Sequence, residues 1–307
     1  MRVCAGFEEW EPGSKTAVSL GNYDGVHLGH QAVLKRTVEL GHLSGIPSVA
    51  VTFDPVPKKI LTPETAPPLI QTLGQRLKKL ESLGLDCAVV VAFNRILAQK
   101  KPDEFIQDFL IDRMRIKHFV VGENFSFGHQ KRGNLQLLRK MGQISDFTVE
   151  GIPEIVRNGL RISSSQIRDF VQQGNMEEAT SFLGRPFALT GIVVEGEHLG
   201  AKLGIPTANL DVENEILPAK GVYVCLVHVD GEAIPAVTNV GLRPTFDGSR
   251  LTVEAHLLDH SSDLYGLKIE IQFLRKLRDE IRFNGVEALK IQIHSDIAAT
   301  RAYLSGI

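Results

Sequence analysis

The first residues that could carry out chemistry lie in a glycine-rich segment, 21–30, with the sequence GNYDGVHLGH. Its two histidines, His27 and His30, are three residues apart, so they share one face if a helix begins there. A helix N-terminus offers free N–H groups and a positive dipole end to an anion. Such imidazoles could hold nucleotide phosphates and stabilise charge on departing pyrophosphate, although the spacing alone also occurs by chance. The candidates are Gly21, Asn22, Asp24, His27, Gly29 and His30.

Two later segments suggest the same chemistry. Segment 120–133, VVGENFSFGHQKRG, mixes glycine, aromatic and basic residues after an apolar run. Segment 161–168, RISSSQIR, places three serines where a helix would begin, with an arginine on either side. Serine hydroxyls and arginines there suit phosphate oxygens, but an ordinary helix cap fits equally well. The candidates are Asn124, Arg161, Ser163, Ser164, Ser165 and Arg168.

A second glycine-interrupted loop, GAKLGIPTAN at 200–209, lies in the other half of the chain. Its glycines would let backbone amides wrap around a phosphate, and we expect Gly200, Lys202, Gly204 and Pro206 to take part in nucleotide binding. The hydroxyl of Thr207 and the amide oxygen of Asn209 are hard ligands of the type that Mg²⁺ accepts.

The segment VEAHLLD at 253–259 contains a candidate general base. On a strand, Glu254 and His256 project to the same face. A carboxylate there could accept the proton of a hydroxyl nucleophile. A solvated strand carboxylate would look the same in the sequence.

The elements that position the N-terminal candidates alternate between strand and helix. Apolar runs predict strands at Thr16–Leu20, Ser48–Phe53, Cys87–Phe93 and His118–Val121, separated by helical patterns such as 31–40 and 71–83. This alternation predicts a parallel sheet covered on both faces. Ligands of such sheets lie beyond the carboxyl ends of the strands.

From about Leu189 the pattern changes to short strands, at 222–229, 251–258 and 267–273, with an Asp230-Gly231 turn. It predicts a small antiparallel barrel or sandwich, covered by a final helix over 286–304. Asn175 with Glu178 predicts a capping box, and Gly184 ends the helix that follows. We therefore expect domains at 1–184 and 185–307.

The composition limits the class of protein. The chain has 307 residues, 43% hydrophobic and 23% charged, and a net charge of −2 without a basic stripe, so nucleic acid is not expected as a partner. No stretch could span a bilayer or serve as a signal peptide. Three distant cysteines without a CxxC pair argue against a disulfide framework or a zinc site and suit a reducing cytoplasm.

The N-terminal segments resemble the nucleotidyltransferase half of the prokaryotic bifunctional riboflavin kinase/FMN adenylyltransferases, also called FAD synthetases. The family motif G-N-F-D-G-x-H-x-G-H is matched with Tyr23 in place of phenylalanine. Its G-x-D/N-F-x-F-G loop is matched by Gly122 to Gly128, and its I-S-S-T/S-x-I-R segment by Ile162 to Arg168. One departure is Val56, where many members have the histidine of F-x-P-H-P.

The C-terminal half resembles riboflavin kinase domains. LGIPTANL, GVYV, NVGLRPT, EAHLLD, DLYG and FLRKLRDEIRF occur in the order of that family, and the whole resemblance runs from about Thr16 to Leu304. It implies a Rossmann-like nucleotidyltransferase domain followed by a six-stranded Greek-key β-barrel with a C-terminal helix. It also implies Glu254 as the kinase base and Thr207 and Asn209 as Mg²⁺ ligands.

The implied function is flavin cofactor synthesis. The C-terminal domain would phosphorylate riboflavin to FMN with ATP, and the N-terminal domain would transfer AMP from ATP to FMN, giving FAD and pyrophosphate. The expected partners are these small molecules, without nucleic acid or membrane, and a homo-oligomer stays open. Three alternatives also stay open: one active domain beside an inactive one, a flavin carrier without turnover, and nucleotide transfer to another phosphorylated acceptor.

Overall fold

The computed structural model describes residues 1–11, 13–196, 200, 204–245 and 248–306, with the backbone alone at 243–245 and 248–250. The chain forms two compact units. The first comprises Met1–Pro68 and Leu73–Ser163, and the second comprises Leu69–Thr72 and Ser164–Ile307. The functional boundary after residue 184 stays a prediction.

The first unit contains a six-stranded parallel sheet with the strand order β1-β4-β3-β2-β5-β8. Its strands are β1 Arg2–Ala5, β2 Thr16–Leu20, β3 Ser48–Phe53, β4 Cys87–Val91, β5 Ile116–Gly122 and β8 Thr148–Ile152. Two short antiparallel pairs join β6 Ser126–Phe127 to β7 Gly133–Asn134, and β9 Val156–Arg157 to β10 Leu160–Arg161.

Helices cover both faces of this sheet. They are α1 Leu28–Ser44, α2 Pro57–Leu61, α3 Leu73–Ser82, α4 Arg95–Gln99, α5 Pro102–Phe105 and α6 Leu135–Ser145, with a π-helical segment Ile106–Arg113 and 3₁₀ turns Pro63–Thr65 and His129–Lys131. Along β3, Val49 and Val51 belong to one apolar cluster, whereas Ala50 packs in another with Leu34 and Leu80. Burial on both faces explains why β2 and β3 are continuous buried runs.

The second unit contains a closed barrel with the strand order β11-β12-β15-β14-β13-β16, in which every pairing is antiparallel. The strands are β11 Phe187–Val194, β12 Ala208–Val212, β13 Gly221–Val229, β14 Glu232–Thr245, β15 Gly248–Leu257 and β16 Lys268–Arg278. Strands β13 to β15 follow one another as hairpins, and β16 returns beside β13, which is a Greek key. The predicted fold class is confirmed for both halves.

Helices α7 Ser164–Gln173, α8 Met176–Leu183 and α9 Val286–Leu304 accompany the barrel. Helix α9 is tied to β16 by a buried ion pair, in which the Arg278 Nε and Nη2 atoms donate to the Asp296 carboxylate at 3.0 and 2.7 Å. Such two-point pairs fix orientation as well as distance. Among the described residues, no helix has the length and apolar character that crossing a membrane requires.

One of the two helix-end predictions is wrong. Helix α8 ends at Gly184, which is left-handed with φ +69°, as predicted. Asn175 does precede α8, but its side chain makes no capping hydrogen bond. It donates instead to the Gln173 side chain at 3.2 Å, so the capping box does not form.

The short segment Leu69–Thr72 belongs to the second unit although the chain on either side of it belongs to the first. Ile70 is only 1% exposed, and its carbonyl accepts from the Asn214 side chain at 3.4 Å. The backbone N–H of Leu69 donates to Glu215 at 2.9 Å. The barrel unit therefore takes part of its buried surface from a segment almost 100 residues earlier in the chain.

We expect Ile70→Ala to destabilise the barrel unit by about 2–5 kcal/mol, because truncating a buried isoleucine leaves a cavity. After graded heating, the activity located in the barrel unit should be lost at lower temperature than in the unchanged protein. Leu61→Ala, at a position that is 49% exposed, is the matched control. Equal thermal behaviour of the two variants would contradict the assignment.

Candidate functional site

The turn after β2 is held in an unusual backbone conformation. Tyr23 and Val26 have φ of +50° and +37°, and Gly25 has φ +85°. Positive φ is costly for a β-branched residue and persists only where surrounding contacts impose it. Here the Val26 N–H donates to the Tyr23 carbonyl at 3.1 Å, and the Gln31 side chain donates to the Val26 carbonyl at 2.9 Å. The turn is thus fixed by contacts at both ends.

His27 and His30 do share one face, as predicted. His27 caps α1, with its Nδ1 accepting from the backbone N–H of His30 at 3.2 Å. Because Nδ1 accepts, the hydrogen of the neutral His27 ring must be on Nε2. The two rings stack with centroids 3.7 Å apart. The cap therefore sets both the orientation and the tautomer of the first histidine.

His30 is held in the neutral form. Burial, and then the charge of His27, hold the pKa of His30 well below its ordinary value of 6.5. Its Nδ1 is buried without a hydrogen-bond partner among the residues that the structure describes. The ring of Tyr23 meets it edge-on at 5.4 Å. A neutral imidazole still has one N–H to donate.

The glycines of this turn make room for rings. A Cβ at Gly29 would lie 3.1 Å from Cε1 and 3.2 Å from Nδ1 of His27, and one at Gly21 would lie 2.9 Å from Cε1 of Tyr23. These separations are tighter than ordinary van der Waals contact. The absence of a side chain at Gly29 therefore permits the position of the His27 ring. A close approach of the Gly29 backbone to a phosphate stays a prediction.

The sequence reasoning missed Arg76, a buried cation beside this turn. It is 1% exposed, and its Nη1 donates to the Asn22 carbonyl, the Thr52 hydroxyl and the Phe53 carbonyl at 3.0, 3.0 and 2.9 Å. Burial lowers its pKa, and the charges of Asp54 and Asp24, the latter a predicted site residue, oppose that shift. Arg76 ties the carboxyl ends of β2 and β3 together. Arginine on an ordinary helical pattern gave no signal of this role.

Asn124 and Arg161 are brought together by a residue that was not predicted. The Asn124 amide and the Arg161 guanidinium both contact Oε1 of Glu154, the latter at 2.6 Å. Ser163 ends the first unit, whereas Ser164, Ser165 and Arg168 lie on the first turns of α7 in the second. The predicted helix start among these serines is confirmed.

Phe125, Phe127 and Val56 contribute to packing in the first unit. The rings of Phe125 and Phe127 stack 5.5 Å apart within its apolar cluster. Val56 is 5% exposed and precedes α2.

On the barrel, three polar residues share one rung. Asn209 pairs with Glu254 across β12 and β15, and Glu254 pairs with Asn239 across β15 and β14. Their neighbours Val253 and Ala255 are buried, so the three polar side chains lie on the outer face of the barrel. Asn239 is a further candidate that the sequence reasoning did not select, although it begins the NVGLRPT segment.

The loop before Thr207 closes tightly on itself. The Ile205 N–H donates to the Gly200 carbonyl at 2.8 Å, and Gly204 has φ +77°. A Cβ at Gly200 would lie 2.4 Å from the Ile205 carbonyl oxygen and 3.4 Å from Thr207 Oγ1. Glycine is therefore required at 200 for this closure. Pro206 is exposed, and Lys202 lies outside the described residues.

Comparison with known proteins adds independent evidence. A family model described as FAD synthetase matches residues 10–166, and one described as riboflavin kinase matches residues 183–304. The bifunctional riboflavin kinase/FMN adenylyltransferase of Pseudomonas fluorescens is 38% identical over 304 residues, covering 98% of this chain and 97% of the relative. The protein of that name from Escherichia coli K12 is 37% identical, covering 95% and 94%.

A solved structure has the same fold over nearly the whole chain. A crystal structure described as that of a macrolide-efflux protein from Streptococcus pneumoniae matches with a TM-score of 0.89 and 30% sequence identity. The match covers 97% of this chain and 98% of that one.

The neutral state of His30 predicts a pH dependence of stability. The unfolded chain binds a proton at about pH 6.5 that the folded protein does not bind, so stability is lost as the pH falls below that value. We expect His30→Asn to show a smaller fall in Tm between about pH 7.5 and 5.5 than the unchanged protein. His42→Asn, on the same helix but exposed, should keep the original slope. Parallel curves for all three proteins would contradict a buried neutral His30.

Proposed function

The chain belongs to the bifunctional riboflavin kinase/FMN adenylyltransferases, and we propose which of its residues carry each reaction. The protein phosphorylates riboflavin to FMN and transfers an adenylyl group from ATP to FMN, in C-terminal and N-terminal domains respectively. The observation that carries the division is that His27 and His30 lie in the first compact unit, whereas Glu254 and Asn209 lie in the second.

Adenylyl transfer needs no general base from the protein. A phosphate oxygen of FMN, already anionic at neutral pH, attacks the α-phosphorus of ATP as the bond to pyrophosphate breaks. What remains is to position the two phosphates and to stabilise charge on the leaving pyrophosphate. The stacked pair His27 and His30, with the first ring donating through Nε2, supplies N–H donors at the positive end of α1.

The remaining N-terminal candidates are assigned to phosphate and nucleotide binding. They are Gly21, Asn22, Asp24, Gly29, Asn124, Arg161, Ser163, Ser164, Ser165 and Arg168. Support comes from the turn after β2, whose backbone is fixed by hydrogen bonds where α1 begins.

Phosphoryl transfer to riboflavin needs a proton acceptor. The nucleophile is the terminal ribityl hydroxyl, a very weak acid. Its oxygen attacks the γ-phosphorus of ATP as its proton leaves and the bond from that phosphorus to ADP breaks. Glu254 accepts this proton in our proposal. Its place between Asn209 and Asn239 on one outward rung supports the assignment, because two amides can orient substrate oxygens beside the carboxylate.

The donor set beside Glu254 fits Mg²⁺. Thr207 and Asn209 are two residues apart at the start of β12 and offer a hydroxyl and an amide oxygen, which are ligands that this cation accepts. Bound there, the cation would neutralise charge on the ATP phosphates. Gly200, Lys202, Gly204 and Pro206 are assigned to phosphate contacts of the same loop.

We also propose a cytoplasmic location. The support is that the sequence has three cysteines without a CxxC pair, a usage that suits a reducing compartment.

We expect Glu254→Gln to lower FMN formation by roughly 10²–10⁴-fold, about 3–5 kcal/mol of barrier, because glutamine cannot accept the proton. Flavins formed from riboflavin, ATP and Mg²⁺ would be separated by chromatography, with conversion of supplied FMN to FAD as the second readout. That second activity should be nearly unchanged. Glu232→Gln, at an exposed position of β14, is the matched control. Equal loss of both activities in folded protein would rule out separate sites.

We expect His30→Ala to lower FAD formation from supplied FMN by roughly 10²-fold or more and to spare the kinase, because a donor to the reacting phosphates is lost. His42→Ala on the same helix should leave both activities intact. If His30→Ala forms FAD at the original rate, the histidine pair is not the adenylylation site.

A further inference from the structure

The side chain of His256 joins β12 and β15 just beyond the point where their backbone pairing stops. The paired residues are Leu210 with Val253, Asn209 with Glu254 and Ala208 with Ala255, and no pairing precedes Ala208 among the described residues. Two residues before that point, the Pro206 carbonyl lies 2.7 Å from Nδ1 of His256.

The direction of this hydrogen bond follows from its partners. A carbonyl oxygen can only accept, so Nδ1 of His256 must carry a hydrogen and donate it. Pro206 has no N–H with which to continue the ladder itself. The imidazole therefore donates a cross-strand hydrogen bond in which Pro206 takes part only as an acceptor, through its carbonyl.

His256 also lies close in the chain to the proposed base and contacts the residue before the proposed metal ligand. It lies two residues after Glu254 on the same outward face of β15. Thr207 lies between the bonded Pro206 and Ala208, the first residue of β12. A bond to Pro206 thus limits the position of Thr207 relative to Glu254.

Among the described residues, the backbone hydrogen bond within this loop does not tie it to β15. The Ile205 N–H bonds back to Gly200, within the loop. Gly204, with φ +77°, and the exposed Pro206 follow without a helix or strand to hold them. In the described part of the chain, the bond from His256 is what joins Pro206 to a neighbouring strand.

We propose that His256 is a positioning residue for riboflavin phosphorylation. It fixes the Pro206–Thr207 peptide against β15 and so sets the Thr207 hydroxyl beside Glu254 and Asn209, where Mg²⁺ and the ATP phosphates are to be held. This inference rests on the roles proposed above for Thr207 and Glu254.

Two substitutions distinguish the effect of the donor's position from the effect of side-chain size. In His256→Asn, the amide nitrogen can occupy the place of Nδ1, whereas in His256→Gln it extends towards the place of Nε2. We expect His256→Gln to raise the Mg²⁺ concentration for half-maximal kinase activity and KM for ATP by about 3- to 10-fold, the effect of one lost hydrogen bond. His256→Asn should stay within about 2-fold of the unchanged protein.

The intact bifunctional chain supplies its own controls. FAD formation from supplied FMN and quenching of riboflavin fluorescence without ATP should be the same in both variants, which shows that the barrel is folded. Excess Mg²⁺ should restore the kinase rate of His256→Gln.

Three outcomes would overturn the proposal. They are equal defects in the asparagine and glutamine variants, no defect in either, and a lowered kcat that excess Mg²⁺ leaves unrestored. Failure of the underlying assignment is separately visible, because Glu254→Gln would then retain full kinase activity.

Discussion

The hydrogen-bonded register of neighbouring strands is the constraint on which the kinase site depends. In the barrel it sets Glu254 opposite Asn209 on one side and Asn239 on the other. A slip of one residue would turn the carboxylate inward, to the places that Val253 and Ala255 fill. The same outward face carries His256 towards the loop, so one ladder positions the proposed base, the two amides and the proposed metal-binding segment together.

At the carboxyl edge of the parallel sheet, burial rather than strand pairing determines the charge states of the side chains. Arg76 remains charged because three oxygens at the ends of β2 and β3 accept from its Nη1. His30 meets the same loss of solvation by becoming neutral. Arg76 thus fixes the turn, and His30 is an uncharged imidazole in the position that we propose for phosphate binding.

Elements buried on both faces were predictable because burial leaves long apolar runs. The bounds of β2 and β3 agree with their apolar runs. Those of α9 agree with its helical spacing of apolar residues, although this helix is mostly exposed or half-buried. The edge strands β1 and β8 were missed, since they are short and mostly exposed or half-buried and so carry weak patterns. The same limit applies to Leu69–Thr72, whose membership of the barrel unit no local pattern could indicate.

The sequence by itself determined the strand–helix alternation, the change to a barrel, the two motif sets and hence the family. It also placed His27 beside His30, because residues three apart meet on any helix. Only the tertiary structure decided that Arg76 holds the turn after β2 and that Asn239 pairs with Glu254 across neighbouring strands. These contacts join residues far apart in the chain, and such neighbours are fixed by sheet register and burial rather than by local spacing.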